Sequence, residues 1–288
     1  MIDTKPADLS VPFILPQMSL RGNLVRLNEV STRILNQHDY PKNVAKILAD
    51  LLASAAALSG LLKSDGIFTL QTKTSGPISF AVVDVTHQGH MRGYVQVKSQ
   101  FFNENATFQD LLGRGYLTFT IDRGLNADRY QGIVSLNHES LPEALEHYFT
   151  QSEQSETRIF IASQMTEKGE WKCGALILQQ LPTQKMNEDT WPHMEALLNT
   201  LSDEEFLSSE ISNEDLLYRL FHEVGVQVFE SVPLKAQCRC SKERIRTFLT
   251  SLTADEIEGL FEKGQLKMTC EFCNHVYKFD HKDLMTVH

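Results

Sequence analysis

Four of the five cysteines lie in two close pairs near the C-terminus, Cys238-Arg239-Cys240 and Cys270-Glu271-Phe272-Cys273, which are 29 residues apart. Four thiolates in two such pairs can enclose Zn²⁺ in a tetrahedron with Zn–S bonds of about 2.3 Å, leaving no position for water. A closed shell favours a structural or redox role over hydrolysis. Each pair is also close enough in sequence to form its own disulfide. The sulfurs therefore predict a site that holds either one metal ion or two disulfides.

Zinc is the metal that this pattern favours, because typical iron–sulfur motifs space their cysteines differently. The alternative of four buried thiols without a metal is disfavoured, since the residues around the pairs are polar. The first ten residues have neither a basic start nor an apolar run, so we expect no secretory signal and a cytoplasmic protein. In a reducing cytosol, paired cysteines are more often metal ligands or redox sensors than permanent disulfides.

The negative charge of the chain is concentrated in one stretch. Residues 183–230 contain 11 acidic and two basic residues and so carry −9 of the net −10. The apolar spacing predicts short helices over 189–201, 203–208 and 213–224, and like charges four residues apart destabilise such helices. We therefore predict that residues 183–230, called the acidic segment below, form a metastable helical linker that depends on docking.

The residues before and after the acidic segment predict two further domains of an α+β protein. Residues 1–182 are expected to form a core domain with an antiparallel sheet, and residues 231–288 a C-terminal zinc-binding domain. The latter is small enough to need a structural metal. The periodicities predict the following elements: helices over 23–38, 41–62, 140–152, 242–249 and 253–261, and strands over 67–72, 78–85, 91–98, 117–122, 129–136, 157–165 and 171–180.

Several other reactive side chains have simpler interpretations. Cys173 lies in a predicted strand and is expected to be a small core residue rather than a nucleophile. His38 and Asp39 fit a junction between two helices that ends at Pro41. His275 and His281 flank the last strand and could replace a thiolate, although surface positions or contacts with the ligands are favoured. The stretch 44–62 contains charged and small polar residues, which indicates a core helix rather than a membrane span.

The sequence leaves two competing functions open. No phosphate-binding glycine loop is present, so nucleotide-driven work is disfavoured. A basic cluster surrounds the first cysteine pair and would suit a zinc module that binds nucleic acid or a partner protein, but a solvated face that raises thiolate character is the preferred interpretation. A thiol oxidoreductase that uses Cys270 and Cys273 is the other alternative. The basic cluster consists of Lys235, Arg239, Lys242, Arg244 and Arg246.

The chain resembles the redox-regulated heat-shock chaperones of about 33 kDa, also called 33 kDa chaperonins. The resemblance covers almost the whole chain. It rests on the two cysteine pairs, which match the family at all four positions, and on several shorter motifs. These motifs are Asp39-Tyr40-Pro41, Met91-Arg92-Gly93, Arg129-Tyr130-Gln131-Gly132, Ser152-Glu153-Gln154 and Thr157-Arg158.

The resemblance implies a chaperone rather than an enzyme, with one Zn²⁺ held by Cys238, Cys240, Cys270 and Cys273 in the reduced form. Such a protein is inactive while reduced and binds unfolding proteins without ATP after oxidation. The resemblance places client binding in residues 1–182 and the redox switch in residues 231–288. The family's disulfides correspond to Cys238 with Cys240 and to Cys270 with Cys273. The resemblance further implies an oxidised homodimer and later transfer of clients to ATP-dependent chaperones. No membrane partner is expected, and nucleic acid is disfavoured as a partner.

Overall fold

An apolar helix, Lys42–Leu61, lies at the centre of the larger part of the molecule. The computed structural model describes residues 8–61, 66–98, 103–124, 129–181, 189–262 and 264–285. Within them, this helix alone is long and apolar enough to cross a membrane, and 78% of its apolar window is buried inside the protein. A helix that is hydrophobic on all sides belongs in a core. The predicted core helix is thereby confirmed up to Leu61, and residue 62 lies outside the described residues.

The secondary structure alternates strands and helices in an α+β arrangement. The strands, in chain order, are β1 Leu9–Leu15, β2 Leu20–Leu27, β3 Ile67–Thr74, β4 Ile78–Thr86, β5 His90–Val97, β6 Gly115–Asp122, β7 Tyr130–Ser135, β8 Thr157–Met165, β9 Trp171–Gln180, β10 Gln227–Val228, β11 Val232–Pro233, β12 Lys235–Ala236, β13 Leu266–Thr269 and β14 Val276–Phe279. The α-helices are α1 Glu29–Leu35, α2 Lys42–Leu61, α3 Phe108–Leu112, α4 Leu141–Ser152, α5 Thr190–Leu198, α6 Asp203–Phe206, α7 Asn213–Phe221, α8 Lys242–Leu249, α9 Ala254–Gly259 and α10 His281–Met285.

Two six-stranded sheets pack on α2. The first sheet has the order β10-β1-β2-β9-β8, with β11 also paired to β1. The second has the order β12-β5-β4-β3-β6-β7, and its β12–β5 pair is parallel. Residues of α2 join one buried apolar cluster with side chains from both sheets. The predicted antiparallel run from β3 to β7 and the β8–β9 hairpin are confirmed.

The prediction of a helix over 23–38 is wrong in its first part. Strand β2 continues to Leu27, and α1 begins only at Glu29. Leu24 belongs to a different apolar cluster from Val25, which packs with α2. Because β2 is covered on both faces, its apolar run lacks the alternation that marks a half-exposed strand.

Helices α5–α7 of the acidic segment cover the first sheet on the face opposite α2, called the outer face below. Apolar side chains of the segment and of the sheet form one buried cluster there. The sheet contributes Val11, Phe13, Leu15, Leu20, Leu24, Ala162, Leu176 and Leu178, and the segment contributes Trp191, Met194, Leu198, Leu201, Phe206, Leu207, Leu216, Leu217, Leu220, Phe221 and Val224. The three predicted helices are confirmed, although each ends earlier than predicted.

Predicted helix starts are mostly confirmed by their caps. The Ser202 and Ser212 hydroxyls accept hydrogen bonds from the Glu205 and Asp215 amides. At α4 only half of the predicted capping box forms, because the Glu143 carboxylate accepts from the Glu139 amide.

Motifs that carry the family resemblance serve the fold. Arg92 Nε lies 2.7 Å from Asp84 Oδ2 in an ion pair between neighbouring strands. Tyr130 and Tyr148 both donate hydrogen bonds to the Glu153 carboxylate. These contacts are an ion pair and hydrogen bonds, so they depend on the polar groups of the motif residues.

The chain divides into two compact units, residues 1–236 and residues 237–288. The second, called the tail unit below, contains α8, α9, the hairpin β13–β14 and α10. Its buried apolar core among the described residues comprises only Leu249, Leu266 and Phe279. The predicted three-part division remains a prediction, and its first boundary, at 182/183, lies outside the described residues.

Candidate metal centre

The tail unit presents its cysteines from two backbone segments. Cys238 and Cys240 lie in the extended chain just before Ser241, which caps α8. Cys270 follows β13, and Cys273 lies in the turn that leads into β14. That turn is closed by a hydrogen bond from the Cys270 amide to the His275 carbonyl, at 3.0 Å, and by a left-handed residue, Asn274, with φ of 53°. The hairpin thus brings its two sulfurs to the same end.

All four sulfur atoms lie within 4.8 Å of one another. Cys238 Sγ is 3.7 Å from Cys270 Sγ, and Cys240 Sγ is 3.5 Å from Cys273 Sγ. A tetrahedron with bonds of about 2.3 Å has edges of about 3.8 Å, whereas a disulfide is about 2.05 Å long. None of the four cysteines forms a disulfide, and their sulfurs lie at distances that fit a tetrahedral metal ion. A set of four sulfurs is consistent with zinc.

Hydrogen bonds and burial act on the sulfurs in opposite directions. Tyr277 donates its hydroxyl to Cys240 Sγ at 3.1 Å. The amides of Phe272 and Cys273 donate to Cys270 Sγ, which lowers the pKa of that thiol, but burial is the larger effect and raises it. Burial likewise raises the pKa of the Cys273 thiol.

The basic cluster makes structural contacts within the tail unit, and its effect on thiolate character at the first cysteine pair stays a prediction. Lys242 Nζ lies 3.0 Å from Asp283 Oδ1 and 5.3 Å from the centre of the Phe279 ring. Arg244 donates to the Arg239 carbonyl at 2.9 Å. Lys242 and Arg244 thus make structural contacts within the tail unit.

Neither histidine joins the sulfur cluster. The His281 ring stacks on Phe261 with centroids 3.9 Å apart, and the His275 ring contacts the edge of Tyr277. The cluster of metal-ligating atoms in the described part of the chain consists of the four cysteines. Both histidines therefore have the structural positions that the sequence favoured.

The remaining candidates also have structural roles. Cys173 is fully buried in the core of the first unit, and burial raises the pKa of its thiol. The His38 ring packs against Tyr40 and Tyr94 between α1 and α2.

Sequence reasoning missed two polar side chains that contact the sulfur cluster and the acidic segment, Tyr277 and Arg26. Tyr277 contacts the sulfur of a residue 37 positions away. Arg26 donates to the Phe206 carbonyl, 180 positions away. No local pattern links either residue to its partner.

Comparison with known proteins agrees with this architecture. The model of the Hsp33 protein family matches residues 8–280. A 33 kDa chaperonin of Caulobacter vibrioides is 35% identical over 95% of each chain, and one of Serratia proteamaculans is 35% identical over 96% of this chain and 93% of the relative. The crystal structure of the 33 kDa chaperonin of Thermotoga maritima superposes with a TM-score of 0.82 at 25% identity, over 96% of each chain. The chain therefore belongs to the Hsp33 family, which is a family of chaperones.

Proposed function

We propose that the protein is a redox-regulated, ATP-independent chaperone that binds unfolding proteins under oxidative stress. The observation that carries the proposal is the cluster of four cysteine sulfurs in a unit with only three buried apolar side chains among its described residues. Such a unit buries too little apolar surface to be secure alone. Cys238, Cys240, Cys270 and Cys273 would hold one Zn²⁺, which when bound keeps the sulfurs as thiolates and cross-links the two segments that carry them.

Oxidation removes these ligands. A thiolate attacks hydrogen peroxide, so that its sulfur becomes a sulfenic acid and hydroxide leaves. A neighbouring thiol then attacks the sulfenic sulfur, and a disulfide forms with loss of water. Two such sequences consume two molecules of peroxide and four thiols. Neither disulfide retains a thiolate to bind the metal ion, so the metal is released.

The disulfides proposed are Cys238–Cys240 and Cys270–Cys273. Crossed bridges are the competing outcome, since the shortest contacts given above join one pair to the other. Peptide mapping of the oxidised protein without reduction distinguishes the two patterns.

Loss of the metal unfolds the tail unit, because apparent zinc-binding free energies of roughly 10–16 kcal/mol exceed the stability of a small domain. The acidic segment is connected to this unit by short strands. Strands β10, β11 and β12 contain two residues each, and β12 ends two residues before Cys238. Unfolding of the tail unit thus frees the end of a chain that only a few ladder hydrogen bonds hold.

Docking of the acidic segment buries polar atoms at a cost in free energy. Trp191 Nε1 and Asn213 Oδ1 are buried and have no hydrogen-bond partner among the described residues. A buried, unpaired polar atom costs about 1–3 kcal/mol. Undocking would relieve both costs and expose the apolar outer face, where we place client binding. The concentrated negative charge would keep this open form soluble.

The active form is proposed to be an oxidised homodimer in the cytoplasm that passes its clients to ATP-dependent chaperones. Its action is binding rather than catalysis.

The test is light scattering from an aggregating client, together with metal content and thiol number in the same preparation before and after peroxide with mild heat. Loss of four thiols and one zinc, accompanied by suppression of aggregation, is the expected result. Full suppression by the reduced, zinc-loaded protein would contradict redox regulation.

A further inference from the structure

A buried cation lies under the acidic segment. Arg26 is on β2 and only 5% exposed. Its Nη1 donates to the Phe206 carbonyl at 3.2 Å, and its Nη2 donates to the Ile211 carbonyl. Burial lowers the pKa of Arg26 to about 10, so the side chain remains charged at neutral pH. One guanidinium therefore joins the end of α6 to the residue before the Ser212 cap of α7.

Both hydrogen-bond acceptors of Arg26 are main-chain atoms, and the carboxylate of Glu214 in α7 acts on the guanidinium through its charge. No backbone amide in the described part of the chain donates to either carbonyl. Gly174 lies opposite Arg26 on β9, and a Cβ there would come within 2.7 Å of the Phe206 ring. The absence of a side chain at Gly174 makes room for the Phe206 ring, while Arg26 binds the Phe206 carbonyl.

Other cations of the first sheet contact side chains of the segment instead. Arg158 Nη2 lies 2.6 Å from Glu195 Oε1, and its guanidinium lies 5.0 Å from the centre of the Trp191 ring. Lys172 donates to the Ser209 hydroxyl at 3.3 Å. These contacts depend on the sequence of the acidic segment, whereas main-chain carbonyls occur in every polypeptide.

An undocked segment would leave the donors of Arg26 in the middle of an apolar surface. Leu24 and Leu176 belong to this surface, and neither side chain can accept a hydrogen bond. An unpaired cation in such a setting favours any ligand that supplies acceptors and apolar groups together. Unfolded chains do so, because their carbonyls are not engaged in secondary structure. Folded proteins have paired most of theirs.

We propose that the outer face is an interaction surface for the main chain of unfolded proteins, with Arg26 as its hydrogen-bond donor. The acidic segment occupies the same donors while it is docked and so competes with clients for them. This inference rests on the proposed function and names the feature of the client that the surface recognises. It accounts for binding of chains that share no sequence.

The test compares Arg26→Met with the control Arg129→Met in the full-length protein. Both changes remove a guanidinium, but Arg129 lies just before β7 of the second sheet, away from the outer face, and its Nη2 is 2.9 Å from Asp122 Oδ2. Hydrogen exchange of the reduced, zinc-loaded protein reports on docking of residues 203–211. Binding of the oxidised protein to a permanently unfolded, reduced and alkylated model protein reports on client recognition.

Arg26→Met is expected to raise exchange at residues 203–211 by about tenfold or more and to weaken client binding by about tenfold. Arg129→Met is expected to leave exchange at residues 203–211 and client affinity within about twofold of wild type, because it removes only an exposed ion pair. Wild-type client affinity in oxidised Arg26→Met would overturn the inference, as would an equal loss in both variants. If Arg26→Met fails to fold, Arg26→Lys, which keeps the charge but not the two-pronged donor, is measured in the same way.

Failure of the proposed function gives a different result. It would appear as equal client binding by wild-type protein before and after peroxide. The exchange comparison in the reduced protein tests Arg26 independently of that outcome, and unchanged protection of residues 203–211 in Arg26→Met would also overturn the inference.

Discussion

The two units of the molecule differ in what holds them together. The first unit surrounds α2 with two sheets and buries apolar side chains from nearly every strand, whereas the described part of the tail unit buries three. Fully burying a side chain such as leucine contributes about 1.5–3 kcal/mol, so three give only several kcal/mol before conformational entropy is subtracted. The tail unit has what the first unit lacks, a cluster of four thiols. One fold thus combines a unit that apolar burial stabilises with a unit whose stability we propose to depend on the chemical state of its sulfurs.

The acidic segment buries apolar side chains, as the first unit does, but its docking is also opposed by buried polar groups. It contributes apolar side chains to a large buried cluster, as an ordinary core element does. It also buries a guanidinium and two unpaired polar atoms, which lower the net gain from docking. These costs are the reason for our proposal that the segment leaves the sheet without unfolding it.

The largest effect is expected from removing the metal or one of its ligands. Chelation, or the substitution Cys270→Ser, should unfold the tail unit and leave the first unit folded, because only the former depends on coordinated thiolates. Two-dimensional NMR should show collapse of the tail resonances alone. Cys173→Ala is the matched control, since Cys173 is a thiol in the apolar core, and it should retain metal and redox response. Loss of metal by Cys173→Ala would contradict the assignment of the metal to the tail unit.

The next largest effect concerns docking of the acidic segment. Phe206 is fully buried, and its ring meets that of Phe160 edge to face at 5.0 Å. Phe206→Ala should cost about 3–5 kcal/mol of docking free energy, so that the reduced protein suppresses client aggregation without oxidant. The control Tyr218→Ala removes a ring that is 64% exposed on the same segment and should leave the reduced protein inactive. Equal behaviour of the two variants would contradict docking through the apolar cluster.

A matched pair of leucines sharpens the comparison between units. Leu52 on α2 and Leu266 on β13 are both buried. Leu52→Ala should lower the free energy of unfolding of the first unit by about 2–5 kcal/mol and leave metal affinity unchanged. Leu266→Ala should instead weaken metal binding by about tenfold or more, because folding of the tail unit and metal binding are coupled. Competition with a metal chelator measures the second effect, and an unchanged affinity would show that the tail unit folds without help from the metal.

The smallest effect is expected from a carboxylate near the docking surface. Burial raises the pKa of Asp50, the charge of Asp203 in α6 raises it further, and Lys46 and Ser163 act in the opposite direction. A folded-state pKa above the unfolded value gives stability that is present below the unfolded pKa and is lost as pH rises through the folded pKa. Docking of α6 should therefore weaken slightly with rising pH.

Asp50→Asn should flatten this dependence and change docking by under about 1 kcal/mol at neutral pH. Exchange at α6, measured in both proteins between about pH 4 and pH 7, checks it. A wild-type pH dependence in Asp50→Asn would assign the effect to another group.

Local chemistry accounts for most of what could be predicted from the sequence. The spacing of the cysteines predicted that Cys238, Cys240, Cys270 and Cys273 lie together, and a turn around Gly169 predicted the β8–β9 hairpin. Strand β2 was predicted as a helix because it is buried on both faces, and no element was predicted for β1. Arg26 and Tyr277 could not be assigned, since their partners are brought to them by tertiary structure. Burial of Cys270 and Cys273 could not be predicted either, because it arises only in the folded tail unit.

Hydrogen exchange, measured by mass spectrometry on one preparation before and after peroxide with mild heat, tests the central claim most directly. After oxidation, we expect amides of the tail unit and of α5–α7 to exchange freely, while α2 and the central strands of both sheets keep their protection. Client binding should appear together with this change. Client binding that appears while the tail unit remains protected would contradict the account.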